Sequence, residues 1–220
     1  MVISAPSGVG KTTLARMLLE SDEHIHHSVS YTTRPKRSNE VEGIHYHFVG
    51  VDRFKEMIEN NDFLEYVELF GHLYGTPKQS VSTLLAAGED VLFEIDWQGH
   101  RQILSRARQD MVSVFILPPC KEELFKRLSG RNQDSKEVMH RRLEEANWEL
   151  CHWHEYDYVI INRCLEDSLD KLHSILRAER LKKERRTGLP EFVESLIQQD
   201  INFLLKNLIN SDESNNNLLG

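Results

Sequence analysis

The chain has 220 residues, with 35 Asp plus Glu against 27 Lys plus Arg, for a formal net charge of -8. That balance argues against a general nucleic-acid binder, which screens a polyanion with net positive charge or a long basic face. At 40% hydrophobic and 28% charged residues, the composition suits a globular protein that can fill a core and excludes disorder of the whole chain.

The apolar stub at residues 1–4 runs into Ala5-Pro6-Ser7-Gly8-Val9-Gly10-Lys11-Thr12-Thr13, after which Leu14, Met17 and Leu18 recur at helical spacing. This predicts strand, loop and helix. The strand has only about four residues where roughly five or six are usual, so the protein is expected to begin upstream. Over residues 28–83 the texture changes to short alternating pieces, His45-Tyr46-His47-Phe48-Val49 and residues 63–69, set apart by Gly43 and Gly71; an inserted, more antiparallel lobe is expected. Apolar runs at 91–96, 112–118 and 158–162 each end in polar residues and precede a helical pattern. Buried strands alternating with helices predict an α/β fold, a parallel sheet covered on both faces. The core is expected at 1–28, 84–119 and 151–186, and the second lobe at 29–83. Residues 120–150 are helical but broken near Ser129-Gly130-Arg131-Asn132, with charges around the break, as in a mobile flap.

After the charged residues 177–186, Gly188 and Pro190 open a last periodic stretch, Phe192, Val193, Leu196, Ile197, Ile201, Leu204, Leu205 and Leu208. It predicts an amphipathic helix within 187–220, whose stripe needs cover from its own core or from a second subunit, so a homo-oligomer through this helix is one expectation. Residues 211–220, rich in Asn, Ser and acid, are expected to be disordered. No internal repeat is found.

No run of about 18 apolar residues and no charged-then-apolar leader occurs, and Cys120, Cys151 and Cys164 form no C-x-x-C pair. A cytoplasmic protein with no membrane or nucleic-acid partner is expected. The eleven histidines show neither H-E-x-x-H nor a Cys/His zinc spacing, so no dedicated metal site is expected. Trp97, Trp148 and Trp153 read as packing residues.

Gly8, Gly10, Lys11 and Thr12 fit a P-loop, in which small residues let backbone N–H groups turn toward phosphate oxygens at a helix N-terminus. Lys11 would reach the β and γ phosphates and the Thr12 hydroxyl would help hold Mg2+. The first glycine of the motif is Ala5 here, which costs little if that residue needs no positive φ. A P-loop does not name the reaction. Glu94 and Asp96, two apart at a strand end, project on one face near the loop and suit a magnesium-side or substrate-side acid; strand-end acids also cap the following helix. Arg34, Lys36 and Arg37 follow a hydroxyl cluster that includes Ser30, and such a group either clamps a phosphate or forms a solvated loop.

In company with Glu40, Gly43-x-x-Tyr46-x-Phe48, Phe63-Leu64-Glu65, Tyr74-Gly75-Thr76 and Glu94-Ile95-Asp96-x-x-Gly99, these residues resemble guanylate kinase of the bacterial type, over residues 1 to about 185. The resemblance implies the P-loop nucleoside monophosphate kinase fold, with a core, a mixed α/β GMP-binding lobe and a helical lid at 120–150 that closes over ATP. It implies transfer of the γ-phosphoryl group of ATP to GMP. Arg34 and Arg37, with Tyr46 and Tyr74, would hold the GMP phosphate. Ser30, Glu65, Thr76 and Asp96 would surround guanine, with Glu40 and Glu94 also in the acceptor site. Lid arginines matching Arg131 and Arg142 would reach the ATP phosphates, Arg127 and Arg141 being read as structural, and Asn162 would lie near adenine.

The chemistry agrees. Guanine offers N1–H and an exocyclic NH2 on one edge, two donors that the Glu65 carboxylate can accept together, whereas adenine presents an acceptor at N1. Thr76 can donate to guanine O6. The nucleophile is an ionised phosphate oxygen, so no triad is required, and catalysis reduces to aligning two anions and neutralising the charge between them. The alternatives are a guanylate-kinase-like binding module, against which the intact Lys11, Arg34, Arg37, Glu65 and Asp96 argue, and a related P-loop kinase with another phosphorylated acceptor. No residue reads the ribose 2′-hydroxyl, so dGMP is a further possible acceptor.

Overall fold

The structure is a computed structural model that describes residues 1–69, 71–129, 136–199 and 201. In chain order the elements are β1 (Val2–Ser4), α1 (Lys11–Ser21), β2 (Ile25–His27), β3 (Tyr31–Thr32), β4 (His47–Phe48), α2 (Val51–Glu59), β5 (Phe63–Leu69), β6 (His72–Pro77), α3 (Lys78–Ala86), β7 (Asp90–Glu94), α4 (Trp97–Ala107), β8 (Ser113–Leu117), α5 (Lys121–Ser129), α6 (Lys136–Leu150), β9 (Tyr158–Ile161), α7 (Leu165–Arg180) and α8 (Leu189–Ile197). Five strands form a parallel sheet in the order β2-β7-β1-β8-β9. A second, mixed sheet runs β4-β3-β6-β5, with β3 and β4 parallel and the β3–β6 and β5–β6 pairs antiparallel.

β1 is short but central, buried along its whole length between β7 and β8. Its alternation divides the core. Ile3 joins Leu14, Leu18, Leu92, Val114, Ile116, Leu124, Leu128 and Leu172 on one face of the sheet. Val2 points the other way, into a cluster with Val81, Val91, Phe93, Ile95 and Ile103. Two apolar faces need two layers of helix, which α1, α5 and α7 supply on one side and α3 and α4 on the other. The loop between β1 and α1 thus sits at the C-terminal edge of the parallel sheet.

The second sheet packs on α2 through Phe54, Met57 and Phe63, with the Phe54 and Phe63 rings stacked at 4.5 Å. Gly75 of β6 has no side chain because a Cβ there would lie 2.9 Å from the Phe63 ring. In β5, Phe63, Glu65 and Val67 are buried while Tyr66 and Glu68 are exposed. The period-2 pattern thus puts a carboxylate on the apolar face of a strand.

Two compact units divide at residues 177 and 178. Within the second, Lys182 and Arg185 both pair with Glu179, at 2.7 and 3.1 Å, and α8 exposes Phe192, Val193, Leu196 and Ile197. The break expected near residues 130–132, including Arg131, and the expected disordered end at 211–220 lie outside the described residues. Among the described residues no helix is long and apolar enough to cross a membrane.

Candidate active site

The loop from Ala5 to Gly10 turns between β1 and α1. Gly8 and Gly10 take φ of 86° and 105°, the left-handed region that suits glycine. Asn61 is the one non-glycine with positive φ among the described residues, so Ala5 needs no such conformation and stands in for glycine without strain. Ser4 Oγ donates to the Ile95 carbonyl at 2.8 Å, and Lys11 Nζ reaches the same carbonyl at 3.5 Å. Those bonds tie the loop to the end of β7.

The far side of the loop is anchored by Asn162. It is 1% exposed, donates from Nδ2 to the Val9 carbonyl at 2.8 Å and accepts from Ser168 Oγ at 3.0 Å. Arg127 donates to the same Val9 carbonyl at 3.1 Å and pairs with Glu123 at 2.9 Å. Asn162 and Arg127 line a cavity of about 420 Å³ with Gly8, Gly10 and Thr13.

On the near side the loop forms one wall of a cavity of about 350 Å³ that also touches Ser30, Tyr46, Glu65, Tyr74, Glu94 and Asp96. A neighbouring cavity of about 540 Å³ shares Lys11, Thr12, Ser30, Tyr46, Tyr74 and Glu94 with it and adds Arg34, Arg37 and Glu40. The shared walls make one cleft, with the glycine-rich loop at one side and Arg34, Arg37, Glu65 and Tyr74 at the other.

Arg34 is pre-set. Its guanidinium bonds Glu40 Oε1 at 2.6 Å and the Pro35 carbonyl at 2.8 Å, and lies 5.4 Å from the Tyr46 ring centroid. The other Glu40 oxygen accepts the Arg37 N–H at 2.8 Å. Glu40 therefore braces the two arginines, and the Arg34 hydrogen bond holds its carboxyl below the usual range. Tyr46 and Tyr74 meet edge to face at 5.9 Å.

Glu65 is 2% exposed, and burial pushes its carboxyl up to about 7 against the opposing Thr76 hydrogen bond. Thr76, expected at guanine O6, is fully buried and its hydroxyl donates to Glu65 Oε1 at 2.6 Å; Ser30 Oγ lies 3.4 Å from that hydroxyl and lines the cleft. Asp96 combines the two readings of a strand-end acid, since it caps α4 by accepting the Gly99 N–H at 2.9 Å and also faces the cleft. Glu94 lies 3.6 Å from His27, whose imidazole is held below its ordinary range by burial.

Arg142 is half-buried on α6. The same helix carries a cleft residue that no motif marks. Glu149 accepts the Ser7 N–H at 3.2 Å, lines the cavity and has its carboxyl pushed up to about 7 by burial, with Lys11 opposing. Its signal in the sequence is the spacing of seven from Arg142, two turns along one helix face.

The guanylate kinase family model matches residues 1–179. The guanylate kinase of Paramagnetospirillum magneticum is 53% identical over 196 residues, covering 89% of this chain and 92% of the relative. That of Rhizobium etli is 49% identical over 199 residues, 90% of each chain. The crystal structure of guanylate kinase from Anaplasma phagocytophilum superposes with a TM-score of 0.76 at 38% identity, over 90% of this chain and 95% of the other. A parallel sheet with a P-loop at its edge, a mixed second sheet bearing a braced arginine pair and a buried acid, and these matches over most of the length agree: the chain belongs to the guanylate kinase family.

Proposed function

We propose that the cleft carries out the reaction of the family, transfer of the γ-phosphoryl group of ATP to GMP with release of ADP and GDP, through the residues gathered there. The observation that carries the reading is Glu65, a carboxylate held almost free of solvent at the wall of a cleft it shares with the phosphate loop. A buried acceptor of this kind suits the N1–H and NH2 donors of guanine and opposes adenine N1. Ser30, Thr76 and Asp96 complete the base site, Thr76 also fixing the Glu65 carboxylate. Arg34 and Arg37, braced by Glu40, take the GMP phosphate with Tyr46 and Tyr74.

On the donor side, Ala5, Pro6, Ser7, Gly8, Val9, Gly10, Lys11, Thr12 and Thr13 cradle the ATP phosphates, and Asn162 holds the cradle beside the base. A GMP phosphate oxygen bonds to the γ phosphorus while the bond to the β–γ bridging oxygen breaks, so the electron pair leaves with ADP. Lys11 stays on the migrating group as charge builds, and the lid arginines Arg142 and Arg131 add positive charge. Thr12 and Glu94 offer the cleft oxygen donors, which suits Mg2+ held jointly with ATP phosphates. When bound, the ion neutralises charge on the β and γ oxygens.

The nucleotide lobe at 29–83, the lid at 120–150 and the core around them close on both substrates and exclude water. Three exposed free cysteines and the family's relatives fit a cytoplasmic enzyme. The open apolar stripe of α8 suits self-association, which truncation after Arg186 tests by light scattering: an unchanged mass removes it. The reaction itself is tested by ADP formation from Mg-ATP with GMP, dGMP, AMP, CMP, UMP and dTMP in turn, beside a no-acceptor control. Turnover confined to GMP and dGMP is expected, and equal turnover with AMP overturns the base site.

A further inference from the structure

We propose that Gly99 is a specificity-determining position: the bare Cα at the start of α4 seats the Glu65 carboxylate, so that selection of guanine depends on residue 99 having no side chain. The inference rests on the reading of Glu65 as the guanine acceptor. A Cβ built on Gly99 would lie 2.8 Å from Glu65 Oε2 and 3.3 Å from its Cδ. Contacts that short are closer than a side-chain carbon and a carboxylate tolerate, so one of them must shift.

Glu65 has little room to give. Its other oxygen takes the Thr76 hydroxyl at 2.6 Å, and the backbone on both sides of it is tied to α4. Arg106 donates to the Phe63 and Leu64 carbonyls, while the Gln102 amide donates to the Tyr66 carbonyl at 2.7 Å and accepts the Tyr66 N–H at 3.2 Å. With β5 and α4 locked together, an added methyl would turn the carboxylate off the helix and into the space where the base sits.

Backbone conformation does not account for the glycine. Its φ is outside the left-handed region, and helix propensity favours alanine in a first turn. What remains is close approach, by Ile95 Cβ at 3.3 Å and, nearest of all, by Glu65 Oε2 at 2.8 Å. Residue 99 also meets the second acid of the base site, since its N–H is the one Asp96 accepts at 2.9 Å. Alanine keeps that N–H, so Gly99→Ala separates the seat from the cap.

The experiment measures KM and kcat for GMP, AMP and Mg-ATP in the wild type, G99A, E65D, E65D/G99A and E65Q, with circular dichroism and melting as controls. G99A is expected to raise the KM for GMP about tenfold or more and to narrow the preference over AMP, while the KM for ATP stays put. E65D draws the carboxylate back by one methylene, so adding G99A to it should change the KM for GMP by less than about twofold. A G99A enzyme with unaltered KM for GMP overturns the inference, as does an equal rise for GMP and ATP, or a G99A effect as large in E65D as in the wild type. If G99A melts early, recovery of the melting temperature in E65D/G99A supports the clash and lack of recovery overturns it. E65Q keeps the readings apart. An unchanged GMP to AMP preference in E65Q removes the guanine reading and this inference with it, whereas a changed preference beside a silent G99A removes the inference alone.

Discussion

Glu65→Gln is the sharpest perturbation of the base site, because it preserves shape and replaces one acceptor oxygen by a donor NH2. In the wild type both carboxylate oxygens can accept from guanine N1–H and the exocyclic NH2, while Oε1 also takes the Thr76 hydroxyl. Glutamine has one acceptor. It must leave either Thr76 or a guanine donor unmatched, and its NH2 then faces another donor in a place with almost no solvent to compensate. A hydrogen bond to a charged group contributes about 1.5–3 kcal/mol, and a buried unmatched donor adds about 1 kcal/mol or more, so about 2–4 kcal/mol is lost. That corresponds to a fall of about 30- to 1,000-fold in kcat/KM for GMP. The donor side of the cleft is built from other residues, so the KM for ATP should move less than about twofold. Adenine N1 becomes an acceptable partner for the new NH2, and AMP turnover should hold or rise. Initial rates of ADP formation with GMP and AMP varied separately give the ratio directly. A GMP to AMP ratio equal to that of the wild type would falsify the assignment of Glu65.

The same carboxyl sets a pH dependence. Burial lifts it from an ordinary 4.5 to about 7, so the folded protein favours the protonated form; the contribution to stability is complete at acid pH and is lost as pH climbs from about 4.5 to about 7, by about 3 kcal/mol at most. Glu65→Gln should therefore melt higher than the wild type at pH 8 and converge with it near pH 5, and a difference in Tm that does not shrink between those values in calorimetry would refute the buried charge. Lys11→Ala should abolish turnover with GMP binding still measurable by calorimetry; normal turnover would remove Lys11 from the phosphate site. Arg37→Ala should raise the KM for GMP and lower kcat together, because it acts before and during transfer, and a normal GMP response would leave Arg37 as a solvated loop residue. Asn162→Ala leaves the Val9 carbonyl to Arg127 alone and orphans Ser168, costing about 1–3 kcal/mol. It should lower Tm by about 2–10 °C and raise the KM for ATP more than that for GMP; an unchanged Tm would show that the anchor contributes no stability.

Much of this architecture is legible in residue order. The strand-loop-helix at residues 1–21, the alternation of apolar runs with helical patterns and the cation cluster at Arg34 and Arg37 all depend on neighbours in sequence. Glu65 was legible only through its company of motifs, because a lone acid in a strand reads as exposed; its place on the buried face beside Phe63 and Val67 is seen only in the folded β5. The parts that were not legible join distant segments. Glu149 reaches Ser7 across 142 residues. Thr76, one of the two buried residues of β6, donates its hydroxyl to Glu65 across the strand pair, a link no local pattern announces. Glu40, expected in the acceptor site, lines the cleft and has both oxygens on Arg34 and the Arg37 backbone, a geometry fixed by the loop between β3 and β4.

The acid excess of the chain then looks different from an obstacle to binding two polyanions. Arg34 is held by the Glu40 carboxylate at 2.6 Å. A guanidinium fixed in this way has already lost side-chain freedom before a phosphate arrives, which lowers the entropic cost of binding. The cost is part of its charge, because a neighbouring acid weakens the field seen by the phosphate. Where the acid takes one edge of the guanidinium and leaves another toward the cleft, orientation is kept and the remaining N–H groups still serve the ligand. In the proposed base site acids act differently: Glu65 and Asp96 would repel phosphate and accept from guanine. The sign of charge therefore changes along the cleft, from the cations at Lys11, Arg34 and Arg37 to the carboxylates beside them, and a nucleotide with one anionic end and one donor-rich end fits in a single orientation.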